Sequence, residues 1–164
     1  MTSRGDATRR ASDQGYRSAV LTEMGMSWMT FDLTGRRCIA IRRFHHEWRG
    51  ELETRFGPVE LAWDDGTVTT FSDSSDWTLH ISNRPWVDPF IGVSCRRRRQ
   101  LSKEVGLWIP GVLPDALGSV IGQTVHSWDI ELSGMGELVG IVVVFDPATV
   151  GVRSTAGNLE VEVR

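Results

Sequence analysis

The sequence predicts a mostly β domain, an antiparallel sandwich or partly open barrel of about nine or ten strands with at most one short helix. Three observations carry this. Short apolar segments alternate with polar residues at the two-residue period of a half-buried strand. Gly, Asp, Ser and Pro clusters interrupt those segments where hairpins need them. Residues 59–81 can also be laid on residues 141–163 without a gap.

Residues 1–23 are small, polar and charged, and read as a disordered tail before a single β-rich domain over 24–164. Met24 and Met26 mark where order is expected to begin, so either could be the true start. Trp28–Leu33 and Cys38–Phe44 are the first expected strands, flanking Thr34–Gly35. After Leu52–Phe56 and Gly57–Pro58 comes Val59–Trp63, with Val59, Leu61 and Trp63 on one face. Asp64–Asp65–Gly66 is a hairpin signal, because Gly tolerates the positive φ of a tight turn. Val68–Phe71 and Trp77–Ile81 continue the meander, with Trp63 and Trp77 expected in the core.

Residues 82–121 read as an irregular connection, since Pro85, Pro89, Pro110 and Pro114 cannot donate to a sheet ladder. Within it Val105–Ile109 is a candidate strand and Pro114–Val120 a candidate helix. Strands resume at Thr124–Leu132, Val139–Phe145, Thr149–Ser154 and Leu159–Val163, with a turn at Ser133–Gly136.

In the ungapped overlay Asp64, Thr67, Val68 and Ser72 match Asp146, Thr149, Val150 and Ser154, and Gly35-Arg-Arg-Cys38 roughly matches Gly122-Gln-Thr-Val125. Two duplicated β-meanders, over 28–81 and 122–163, would bury their apolar faces together. Any two meanders share a two-residue period, so chance similarity stands beside duplication as the alternative.

Of the 164 residues, 40% are apolar and seven are Trp, enough for a core in one domain. The net charge of −3 argues against a general nucleic-acid binder. The basic residues are almost all Arg, with Lys103 the exception, as a GC-rich genome would give. The N-terminus has no apolar core of a secretory signal, and the longest apolar run, Ile141–Phe145, is strand-sized. A cytoplasmic protein with no membrane span is expected.

Several strings have chemical readings. His45–His46–Glu47 looks metal-like, but neighbouring strand residues face opposite ways, so no metal and no cofactor is expected. Cys38 and Cys95 lack metal-ligand spacing and read as two buried free thiols, with a disulfide between them the alternative in an oxidising compartment. Asp64–Asp65 and Asp73–Asp76 could ligate Ca²⁺, yet Asp and Ser in turns ordinarily bond their own backbone. Signatures of nucleophilic catalysis, a P-loop and a dinucleotide fingerprint are all missing. That favours a non-enzymatic role without deciding the matter.

The favoured contact region is Trp86 to Phe90 followed by Arg96, Arg97, Arg98 and Arg99. Trp beside Arg is the composition of a protein-binding hot spot. The same guanidiniums could instead grip phosphate or nucleic acid.

The layout resembles small bacterial β-rich proteins of unknown function, including immunity proteins of toxin systems. The resemblance rests on Gly35-x-x-Cys38-x-x-Ile41, the Asp65–Gly66 turn between strands, and the ending Asn158-Leu-Glu-Val-Glu-Val163. It spans residues 28–164, implies a binding role and transfers no functional residues. The leading expectation is therefore a non-enzymatic protein-binding module, in one form a toxin-neutralising immunity protein, with a protein partner. The alternatives are a small-molecule-binding or catalytic barrel with a cavity between its sheets, and a phosphate or nucleic-acid binder using the Arg run.

Overall fold

Ten antiparallel strands, one helix and one helical turn organise the chain in the computed structural model, which describes residues 31–113 and 115–164. The expected tail, both candidate start methionines and the beginning of the Trp28–Leu33 strand lie outside the described residues. Residues 31–33 belong to a separate unit, Met1–Leu33; they form no strand, and Phe31 and Leu33 are buried.

The unit Thr34–Arg164 is a β-sandwich. Its first sheet contains β1 (Cys38–Trp48), β2 (Glu51–Glu53), β3 (Val59–Trp63), β4 (Val68–Asp73) and β5 (Leu79–Ser82), in the order β2-β1-β3-β4-β5. A further strand, β6 (Leu107–Pro110), also pairs with β1. The second sheet runs β10-β9-β8-β7, from β7 (Val125–Leu132), β8 (Leu138–Phe145), β9 (Thr149–Thr155) and β10 (Asn158–Val163). Strands β4 and β5 pack against β8, β9 and β10.

Alternation decides what faces the core. Val59, Leu61 and Trp63 of β3 meet Phe71 and Leu79 inside, opposite Ile141, Val143, Val150, Val152 and Leu159 from the second sheet. Each such side chain contributes about 1.5–3 kcal/mol by leaving water. Trp63 is the largest of them, and its indole N–H is satisfied inside the core by Thr69 Oγ1 at 2.9 Å.

The hairpins follow their turn residues. At Asp64–Gly66 the Gly66 N–H returns to Trp63 O, and Gly66 has φ +80. A second hairpin of this shape follows Ser133, with Gly136 in the same role. A third follows Ser74, and there Trp77 holds the left-handed position, at φ +68. Trp77 is therefore not in the core: it is 65% exposed in a turn, and β5 starts only at Leu79. The Asp76 carboxylate, which accepts from both the Thr78 N–H and hydroxyl, holds this turn closed. Asp65 does the same for Thr67, so both acidic loops are turn caps.

The two sheets repeat one plan. Strands β1, β3, β4 and β5 correspond to β7, β8, β9 and β10, and both leading strands shift register near their start, at Cys38/Ala40 and at Val125/Ser127. Where β1 and β7 begin, they pair with each other. Gly35 N–H donates to Val125 O at 2.9 Å, and Gly122 N–H to Cys38 O at 2.6 Å. Cys38 N–H donates to Gln123 O and Val125 N–H to Arg36 O, both at 2.9 Å. Exchanging Gly35 with Gly122, Arg36 with Gln123 and Cys38 with Val125 turns each bond into its mate.

The ungapped overlay is corrected within this plan. The first hairpin closes from Trp63 to Thr67, the second from Phe145 to Ala148, which is one residue shorter. Phe71 therefore corresponds to Val152, and Asp73 to Ser154. The matched residues Val68 and Ser72 lie on the outer face of their sheet, whereas Val150 and Ser154 are buried on the inner one. A one-residue slip inverts the faces of a strand.

The connection between halves holds the element the sequence reading missed. Helix α1 (Cys95–Glu104) contains the whole Arg run. Ser94 caps it by accepting from Arg97 N–H, and Gly106, at φ +81, ends it by donating to Leu101 O. Helical turn α2 (Asp115–Gly118) lies inside the expected 114–120 segment.

Candidate functional site

Two places gather chemically capable side chains. The first is the surface formed by residues 86–99. Trp86 lies on the outer face of the first sheet, its ring 4.2 Å from that of Phe44 and 6.2 Å from that of Trp108. Its backbone N–H donates to Glu60 Oε2 at 2.8 Å. Glu60 is buried, and Arg42 neutralises it at 2.5 Å. Trp86 is thus a half-buried anchor, and Phe90 is also half-buried, its N–H bonded to Asp88.

Asp88 also pairs with Arg98 at 2.8 Å, which ties α1 to the Trp86–Phe90 loop. The structure therefore brings Trp86, Phe90 and Arg98 into one connected assembly. Arg97 pairs with Glu104 at 3.5 Å. Arg96 and Arg99 are exposed and form no ion pair among the described residues. The segment leading into the helix also exposes Val87 at 60%, Ile91 at 71%, and Val93. Val87 falls within the Trp86–Phe90 segment expected from sequence, whereas Ile91 and Val93 lie beyond it and show no period that would single them out.

The second place was also missed. Arg43 is 4% exposed, on the inner side of β1, and its Nη2 donates to Arg55 O at 3.0 Å. Its Nη1 has no hydrogen-bond partner. Burial pushes its pKa down to about 10, partly countered by the charge of Asp73. Asp73 is itself raised above the ordinary carboxylate range by desolvation, against the opposing pull of Ser154, the Leu159 amide and Arg43. Asp73 Oδ1 and Ser154 Oγ likewise have no partner in hydrogen-bonding geometry. Arg43 lines a cavity of about 410 Å³ with Phe56, Leu117, Val161 and Val163. Asp73 lines another, of about 310 Å³, with Phe56, Trp86 and Trp108. A buried Arg is visible in sequence only as one member of the Arg42–Arg43 pair.

The remaining strings have structural roles. His45–His46–Glu47 lies within β1. His45 is buried, whereas His46 faces the other way, 5.1 Å from the Trp108 ring, and its Nε2 donates to Val105 O at 2.9 Å. Among the described residues no His, Cys, Asp and Glu cluster could hold a metal. Both cysteines are free thiols; Cys38 is buried as expected, but Cys95 is exposed, because it opens helix α1, of which only Leu101 is buried. No described helix is long and apolar enough to cross a membrane.

Comparison of the chain with protein-family models, curated proteins and solved structures gives no match.

Proposed function

We propose that this chain is a non-enzymatic binding protein that docks an acidic face of another protein on the surface spanning residues 86–99. The observation that carries this reading is the exposure of Val87, Ile91 and Val93 in a segment that the Arg98–Asp88 ion pair ties to the helix bearing Arg96, Arg97 and Arg99. Exposed aliphatic side chains in one segment with Arg suit a protein interface. The segment is also pre-ordered, through Trp86 on Phe44 and Arg98 on Asp88, so little entropy is lost on docking. A protein whose net charge is −3 but which concentrates cations on one helix favours acidic partners at that place. The resemblance to immunity proteins makes a toxin the kind of partner to try first.

The test uses a photo-crosslinking residue at position 91, with position 135 on the β7–β8 turn as control, in the native host. The expected result is a stoichiometric protein adduct from position 91 alone, lost in the triple variant Arg96→Glu, Arg97→Glu, Arg99→Glu. Equal labelling from both positions, or an adduct that survives charge reversal, overturns the reading.

A further inference from the structure

The cavity of about 310 Å³ is walled mainly by aromatic rings, and its size lies at the lower end of the range for small-molecule sites. Trp86 and Trp108 meet there at 72°, with centroids 6.2 Å apart, and Phe56 stands at the same wall. Both indole N–H groups reach solvent and have no hydrogen-bond partner among the described residues. The Ser72 hydroxyl and the Asn158 amide, which also line the cavity, are likewise unbonded. Asp73 is the only charged residue at the wall; its Oδ1 is buried and its charge is answered by the pull of Arg43. The cavity therefore offers a ligand aromatic surface and neutral hydrogen-bonding groups, with no uncompensated charge.

Trp77 points to the same place independently. It is 65% exposed at φ +68, a conformation that strains a bulky residue, and strain of this kind gathers at functional sites. Its indole lies against Gly157, where a Cβ would stand 3.3 Å from the ring, and Gly157 and Asn158 line the cavity. Trp77 thus borders the cavity as a further, exposed aromatic.

We propose that this cavity binds a neutral saccharide, with one pyranose ring against Trp86 and Trp108 and the next against Trp77. The axial C–H bonds of a pyranose are weakly positive and suit the negative face of an indole ring. Its hydroxyls can accept from the two indole N–H groups and exchange hydrogen bonds with Ser72 and Asn158. A charged ligand would find no opposite charge there, and a purely apolar one would leave those polar groups unpaired. The site shares Trp86 and Val87 with the residue 86–99 surface but needs no protein partner.

The probes are cellobiose, maltose and lactose, followed through the indole N–H resonances, with sorbitol as a polyol without a ring and adenosine as a flat aromatic control. The expected result is saturable binding of at least one disaccharide, at least tenfold tighter than sorbitol or adenosine, with shifts of the Trp77, Trp86 and Trp108 signals. Trp77→Gly relieves strain at an exposed position, so it should leave the fold intact while weakening that disaccharide about tenfold. Asn158→Ala, also at an exposed position, should weaken it as well. No saturable binding of any of the three sugars, adenosine binding as tightly, or unchanged affinity in Trp77→Gly overturns the proposal. None of these results alters the position-91 crosslink, so the saccharide site and the protein-docking surface fail separately.

Discussion

Arg96→Glu should make this protein more stable. Helix α1 begins at Cys95, carries Arg at its next four positions and has no acidic residue in its first turn. The N-terminal turn presents the positive end of the helix dipole, where a cation is unfavourable and an anion favourable by about 0.3–1 kcal/mol each. Arg96 is exposed and pairs with no acid among the described residues, so its removal costs no ion pair. Exchanging cation for anion works through both terms and should add about 1 kcal/mol, or roughly 2–4 °C in Tm for a chain of this size. Thermal melts at 20 mM and 1 M NaCl measure it, and the gain should shrink at high salt. A neutral or destabilising effect at low salt would refute the dipole argument. If the gain appears while the position-91 crosslink weakens, the arginines are retained at a cost to stability.

Three other perturbations probe features away from that helix. Trp77→Gly should stabilise by up to about 1 kcal/mol in chemical denaturation, because Trp77 sits at φ +68, where a bulky residue is strained, and is 65% exposed. Gly106→Ala should destabilise by about 1–3 kcal/mol, since a Cβ there would stand 2.5 Å from His46 Nε2 and 2.7 Å from Glu47 O, at a φ of +81. Burial pushes the Cys38 thiol up to about 11 from 9.0, so the fold favours its protonated form. Its contribution is complete below pH 9 and is lost as pH rises toward 11, by up to about 3 kcal/mol. Cys38→Val, which copies its counterpart Val125, should remove that part of the alkaline loss in denaturation at pH 8 and 10.5. In native protein a thiol reagent should label Cys95 at once and Cys38 only after unfolding.

What sequence could and could not reveal divides along periodicity. The strands of both meanders were legible because alternation and turn residues agree, as in Val59–Trp63 closing on Gly66. Helix α1 was not, because it buries only Leu101 and so has almost no apolar stripe; Ser94 and Gly106 were the available cap signals. Trp77 misled because its spacing from Leu79 and Ile81 fits a strand, while the Asp76 cap commits it to a turn. For the candidate surface, Trp86 and the Arg run were legible as composition, but not the pairing of Arg98 with Asp88 that joins them. Arg43, Asp73 and Ser154 could not be foreseen together, since they come from β1, β4 and β9 and meet only after the sheets stack.

The reciprocal bonds between Gly35–Cys38 and Gly122–Val125 bear on how the molecule assembles. Each half needs the other to satisfy the first backbone groups of its leading strand, so neither meander can finish alone. Loop closure across the whole intervening chain must precede that pairing, which places it late on the folding route and makes the route slow for a domain of this length. A chain cut within the connecting segment near Val112 should yield two fragments that are poorly ordered separately and combine only when mixed. In that sense the protein behaves as a dimer whose two subunits share one chain.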